Sequence, residues 1–409
     1  MKKNSIITIV SLMVAVSQYV MAQKMTVNMV GGQPVEYNVS QVESVTFSDS
    51  ATSNQANMLS LYPEYVMRPT LTNLKFGTYQ YGNNSSSYSP FTLLWFSDIH
   101  GNLENLQRIR TFYDQYQDCL DDVLCNGDLS TNTFYVDFSF WEKGGGGKFL
   151  TTIGNHDASE QLSPFISVSP RKLYNTIIAP YLKETCIISQ ENKTYWYKDY
   201  PNAKTPNCKG GIRLISLDRY HWKENEWSTF MTYDDGMEID TGQQEVWLRN
   251  LLDDAKEKEI AVIISIHGPS YGKKVSPVNC TFDTLDRNYI NAFDVLGADM
   301  MEDVQAFINK GGNFVCWLCG HMHQDWFTTL ADYPDQVQIV VGTSSYSMKW
   351  RDCDMVYNTK AMDRFNIFSV DLEKKYIRLY RIGVDHDRHG RHIGSLVYDY
   401  KNKTLIYND

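Results

Sequence analysis

The sequence predicts a layered α/β fold with mixed sheets, and three observations carry that expectation. Short apolar runs recur along the chain, and several stop abruptly at clusters of Asp, Asn and His. Amphipathic stretches of helical period stand between some of these runs, and residues 365–409 return to strand-like patterning. Strands that alternate with helices argue for layers in which helices cover a sheet, and polar groups breaking from strand ends suit a site at the carboxyl edge of that sheet.

The chain begins with Lys2 and Lys3, an uncharged apolar stretch from Ile6 to Met21, and the small pair Val20 and Ala22. These are the charged, apolar and cleavage regions of a secretory signal peptide over residues 1–22. Cleavage after Ala22 gives an exported protein, periplasmic or secreted, with no stable membrane span. Left uncleaved, the run is near the lower length limit for an anchor. Residues 23–50 alternate through Met25, Val27 and Met29, cross Gly31-Gly32, and alternate again through Val35, Tyr37 and Val39. This is the pattern of a hairpin, here a small N-terminal β module that is marginal alone. Residues 51–90 read as a linker, rich in Asn, Ser and Gly from Tyr79 to Pro90.

The main body occupies residues 91–345. Its first strand, Phe91–Phe96, stops at Ser97-Asp98-Ile99-His100-Gly101; Leu103, Leu106, Ile109, Tyr113 and Tyr116 then follow at helical spacing. Val123–Cys125 runs into Asn126-Gly127-Asp128, and Lys148–Ile153 into Gly154-Asn155-His156-Asp157. Gly144–Gly147 reads as a flexible loop, because a phosphate cradle needs a strand-to-helix setting that this run lacks. Gly211–Leu217 ends at Asp218-Arg219, and Ile260–Ile266 at His267-Gly268-Pro269. A crossover helix over Gln243–Lys258 joins them, with Val246, Trp247, Leu248, Leu251 and Leu252 read as its apolar face. A third helix with Met301, Val304, Phe307 and Ile308 leads to Asn313–Leu318 and then Gly320-His321-Met322-His323. Residues 346–409 contribute Phe365–Val370, Tyr376–Tyr380 and Leu396–Tyr398, a C-terminal β extension of the same domain.

A chain of 409 residues supports a large core, and a formal charge of -10 argues against general nucleic-acid binding. The abundant Tyr and Trp read as core edges and long loops. Of eight cysteines, Cys186 and Cys208 flank a β-rich segment and are the first candidate disulfide, whereas Cys316 and Cys319 read as packed core on opposite faces of one strand. The cluster Asp385–His392 matches no ligand spacing and reads as a solvated loop. Asp218, Arg219, Tyr271 and Tyr346 are candidate substrate contacts.

The chemistry sits in the strand ends. Asp98, His100, Asp128, Asn155, His156, His267, His321 and His323 include five of the nine histidines, each just after a buried run. Nitrogen and oxygen donors without thiolates suit divalent Zn, Mn, Fe, Co or Ni. The i, i+2 pairs Asp98/His100 and His321/His323 would place both members on one side of an extended chain.

The ordered set Asp98-Ile99-His100, Gly127-Asp128, Gly154-Asn155-His156-Asp157, His267 and Gly320-His321-Met322-His323 resembles the calcineurin-like metallophosphoesterase superfamily, every motif position being filled over about residues 91 to 345. The N-terminal hairpin resembles that of exported Bacteroidetes proteins. The family resemblance implies a metallo-dependent phosphatase-like β-sandwich of mixed sheets flanked by helices. It implies one metal ion on Asp98, His100, Asp128 and His323, and a second on Asp128, Asn155, His267 and His321, with Asp128 bridging. It implies hydrolysis of a small-molecule phosphoester by a hydroxide shared between the ions, with His156 assisting the leaving group and Asp157 orienting its ring. The arginines of the protein phosphatase branch are missing after Asp128 and before Gly154, and the tail is too short for a large nucleotide-binding domain. A secreted phosphomonoesterase or phosphodiesterase remains. The alternative from another class is an exported binding or scaffold protein with a catalytically silent fold.

Overall fold

A computed structural model of the chain describes residues 24–27, 35–38, 89–129, 149–160, 163–167, 170–182, 186–188, 193–219, 232–233, 243–269, 277–278, 298–323, 325–330, 332–344, 362–384 and 395–408. The leader at 1–22, Gly144–Gly147, Tyr271, Tyr346 and the Asp385–His392 cluster lie outside these residues. The chain divides into two compact units, Met1–Ser53 and Asn54–Asp409. In the first, Lys24–Val27 pairs antiparallel with Val35–Asn38, Val27 opposite Val35, which is the hairpin that the alternation predicts.

The second unit holds two large mixed sheets. The first runs, in spatial order, Thr404–Asn408, Ser395–Asp399, Tyr376–Gly383, Arg364–Asp371, Phe91–Phe96, Asp122–Cys125 and Phe149–Thr151. Its last three strands are parallel, and the tail strands add to them antiparallel through Arg364–Asp371. The other runs Pro277–Val278, Trp326–Leu330, Val337–Val340, Asn313–Cys319, Ile260–Ile266, Gly211–Leu217, Trp196–Tyr200 and Ile187–Ile188. Four of its central members are parallel.

The period of two along each strand divides the core. Ile212, Leu214, Ala261, Ile263, Cys316 and Leu318 join one apolar cluster with Leu93, Trp95 and Phe368 of the facing sheet. Their neighbours Ile215, Leu217, Val262, Ile264, Trp317 and Cys319 join a second cluster with Leu248 and Leu252 of helix Gln243–Glu257 and Val304 and Phe307 of helix Ala298–Asn309. Cys316 and Cys319 thus face opposite sides as free buried thiols, and burial pushes both above the usual thiol range. Helix Leu103–Tyr116 is capped by the Asn102 side chain, which accepts the Asn105 N–H, and lays Phe112 on Phe365 at 5.2 Å between ring centroids. Among the described residues no helix is long and apolar enough to cross a membrane.

Three sequence expectations are corrected. Leu103 and Val246 lie on the exposed sides of their helices, at 46% and 53% exposure, because the buried stripes run through their neighbours Leu106 and Leu248. Cys186 and Cys208 are buried and do not form a disulfide with each other. Cys208 Sγ instead donates to the carbonyl oxygens of Gly211 and Glu259, at 3.2 and 3.1 Å, in a turn closed by the Thr205–Cys208 bridge.

The sheet–helix contact also buries a charge pair that no local pattern announces. Arg108 donates through Nε and Nη2 to the two Asp363 oxygens at 2.8 and 2.7 Å, and both side chains are nearly solvent-free. Asp363→Ala leaves that guanidinium without its bidentate partner. We expect a loss of about 3 to 5 kcal/mol in urea unfolding, because an uncompensated buried charge is the expensive outcome.

Candidate metal centre

All five motif segments leave carboxyl ends of parallel strands on one edge of the two sheets. Asp98 and His100 follow Phe91–Phe96, Asp128 follows Asp122–Cys125, and Asn155, His156 and Asp157 follow Phe149–Thr151. His267 follows Ile260–Ile266, and His321 and His323 follow Asn313–Cys319. The backbone there turns hard. Asp98, His100, Asp128, His321 and His323 have φ of 57°, 50°, 52°, 69° and 54°, five of the eight non-glycine residues with positive φ among those described. Left-handed backbone costs non-glycine residues of order 1–3 kcal/mol each and persists where the surroundings over-determine it, typically at functional sites. The i, i+2 pairs therefore converge through left-handed turns and not, as expected, along extended chain. Backbone bonds hold these turns: Asp98 N–H to Gly127 O at 3.1 Å, His100 N–H to Asp128 O at 2.9 Å, and Gly320 N–H to His267 O at 2.8 Å.

Two donor clusters result. In the first, Asp98, His100, Asp128 and His323 bring one ligand atom each within 4.8 Å of one another. Asp98 Oδ1 lies 3.2 Å from His323 Nε2 and 3.7 Å from His100 Nε2, and the two Nε2 atoms are 2.9 Å apart. In the second, Asp128, His267 and His321 meet the same limit. His267 Nε2 is 3.2 Å from Asp128 Oδ2, and Asn155 Oδ1 lies 3.2 Å from His267 Nε2 and 2.9 Å from His321 Nδ1. Asp128 belongs to both. The structure thus brings together all seven predicted ligand side chains.

The donor set fits divalent cations on its own chemistry. Asp98 Oδ1 is fully buried and accepts no hydrogen bond, although imidazole nitrogens crowd it. Three buried imidazoles and two buried carboxylates with no thiolate suit borderline metals. Charge balance points the same way. Burial alone would raise Asp98, but His323 beside it holds its carboxyl down at about 2, and Asp128 is held well below the usual range by His267 and His156 against the same burial. Burial pushes the His100 imidazole down to about 4, a neutral ring with a lone pair to offer. Burial works against a charged His267 too, yet Asp128 and Asp98 lift it to about 9. The two carboxylates thus favour positive charge at this point, the charge that a divalent cation held by Asp98, Asp128 and the neighbouring imidazoles would supply.

Two close approaches fix the glycines. Gly127 has φ 94°, and a Cβ there would stand 2.6 Å from His267 Nδ1; one on Gly154 would stand 2.2 Å from Asp128 Oδ1. Only glycine lets these segments approach the backs of His267 and Asp128.

His156 and Asp157 sit beside the clusters. His156 N–H donates to Asp128 Oδ1 at 2.8 Å, and its ring packs 4.9 Å from the His100 ring. Its side chain is 36% exposed, in contrast to the buried His100, His267 and His323. Asp157 Oδ2 takes the N–H groups of Asp128 and Gly154, both at 2.9 Å, and so ties two motif turns together. Of the candidate substrate contacts, Asp218 and Arg219 are buried. Arg219 donates to the carbonyl oxygens of Gly268, at 2.8 Å, and Pro269, bracing the turn after His267.

The family model for calcineurin-like phosphoesterases matches residues 91–325, and the chain belongs to that family. Among solved structures, a dimetal phosphatase from Danio rerio is similar at 12% identity and TM-score 0.45, over 75% of this chain and 98% of that one. The protein TT1561 of Thermus thermophilus is similar at 10% identity and TM-score 0.37, over 78% and 99%. No curated protein matches the chain.

Proposed function

We propose that this member of the calcineurin-like phosphoesterase family is a two-metal hydrolase of small-molecule phosphoesters, exported by means of residues 1–22. The observation that carries the proposal is the pair of donor clusters sharing Asp128, with the buried Asp98 Oδ1 left for a cation. Asp98, His100, Asp128 and His323 would hold one ion, and Asp128, Asn155, His267 and His321 the other. When bound, two divalent ions supply Lewis acidity for phosphoryl oxygens and lower the pKa of water.

The chain's own groups do the rest. Asp128 lies between the clusters with one oxygen toward His267 and the other pinned by the His156 N–H, so its carboxylate plane is set before any ligand arrives. His156, 36% exposed beside His100, would meet a substrate from the solvent side and give a proton from its ring to the departing oxygen. Asp157 holds the Asp128 and Gly154 turns in register.

The test assays the full mature chain, stripped with chelator and reloaded with Mn or Zn, on a model phosphomonoester and a model phosphodiester. Metal-dependent release of product from either supports the proposal. Stoichiometric metal with no hydrolysis of either favours the silent binding protein.

A further inference from the structure

We propose that Asn126, a residue with no ligand role, is the positioning residue that sets the second cluster, by joining the two sheets at the edge where the ligands emerge. The proposal rests on the two-ion reading of the site and deepens it.

The side chain is solvent-free, and its amide is used completely. Nδ2 donates to Ile266 O and to Leu318 O, both at 2.9 Å. Oδ1 accepts from Trp95 Nε1 at 2.9 Å and from Ser265 Oγ at 3.3 Å. The main chain adds three more: Asn126 N–H donates to Phe96 O at 2.8 Å, and its carbonyl accepts from Ser97 Oγ at 3.3 Å and His267 Nδ1 at 2.6 Å. One residue thus connects Phe91–Phe96 of its own sheet with Ile260–Ile266 and Asn313–Cys319 of the facing sheet.

The direction of these bonds matters. The two Nδ2 bonds end on the last residue before His267 and on the strand end before His321, both ligands of the second cluster. The carbonyl requires His267 Nδ1 to be the donor, which turns Nε2 toward Asp128 and Asn155. Partners of this kind around ligating imidazoles commonly change metal affinity 10- to 100-fold when removed. The first cluster depends on Asn126 less, since Asp98 and His100 are also held by the Gly127 and Asp128 carbonyls and Asp98 O by the Thr343 hydroxyl.

Asn126→Asp keeps the size and removes both donors, setting an acceptor against two carbonyl oxygens. Mn titration calorimetry on the metal-stripped chain assigns the two steps through reference variants, Asn155→Ala for the second cluster and His100→Ala for the first. In folded Asn126→Asp we expect the step that Asn155→Ala removes to weaken about 10- to 100-fold and the other to hold. Circular dichroism reports folding. Trp95→Phe, which removes the indole donor together with part of the buried ring, is expected to weaken the same step about 3- to 10-fold, and it decides the matter alone if Asn126→Asp does not fold. Two ions in wild type with both steps unchanged, or equally weakened, in the variants overturn the role of Asn126. Fewer than two ions in wild type overturn the two-ion reading, and this inference with it.

Discussion

Asp128→Ala is expected to strip both ions from the dialysed protein and to lower phosphoester turnover by at least about 1,000-fold, a loss of roughly 4 kcal/mol in transition-state stabilisation. The reason is position. Asp128 belongs to both donor clusters, and its Oδ1 also receives the His156 N–H. Its removal takes a ligand from each ion and loosens the candidate acid together. The fold should survive, because the left-handed turn at residue 128 is also held through its main chain, whose carbonyl receives the His100 N–H. Elemental analysis after dialysis, with turnover on the same sample, checks both parts.

His156→Ala gives the contrasting result. Turnover falls by about 100- to 10,000-fold, the range for loss of a positioned acid, while both ions stay and KM changes little. His156 shares its segment with the candidate ligand Asn155 but belongs to neither donor cluster, and its ring is the solvent-facing one beside buried His100. Loss of metal in this variant would make His156 part of the metal scaffold. A variant with full metal and full turnover would remove it from the mechanism. The pair of variants separates holding the ions from using them.

The fold is legible where burial is continuous. Phe91–Phe96, Gly211–Leu217 and Ile260–Ile266 lie where their apolar runs predict, because a parallel strand covered on both faces has little use for alternation. Trp326–Leu330 and Val337–Val340 are not legible, since five- and four-residue segments with interior threonines or glutamine carry too weak a period. The candidate ligands are legible as residue types at strand ends. Their geometry is not: Asp and His tolerate positive φ better than most non-glycine residues, but they adopt it at only a small share of positions, so the residue types alone do not mark it at Asp98, His100, Asp128, His321 and His323. The contacts that support them are hidden for another reason. Asn126 reaches Ile266 and Leu318 across 140 and 192 residues, and Arg108 reaches Asp363 across 255; only the folded chain brings such partners together. Asp157 stands inside the motif, yet its bonds to two backbone N–H groups follow from the shape of the turns and not from its spacing to His156.

Anomalous scattering from crystals of the Mn-loaded chain tests the two-ion site most directly. Two Mn peaks are expected, one among Asp98, His100 and His323 and the other among Asn155, His267 and His321, with the Asp128 carboxylate between them and a separation of about 3.5 to 4 Å. A single peak, or two peaks that do not share Asp128, would contradict it.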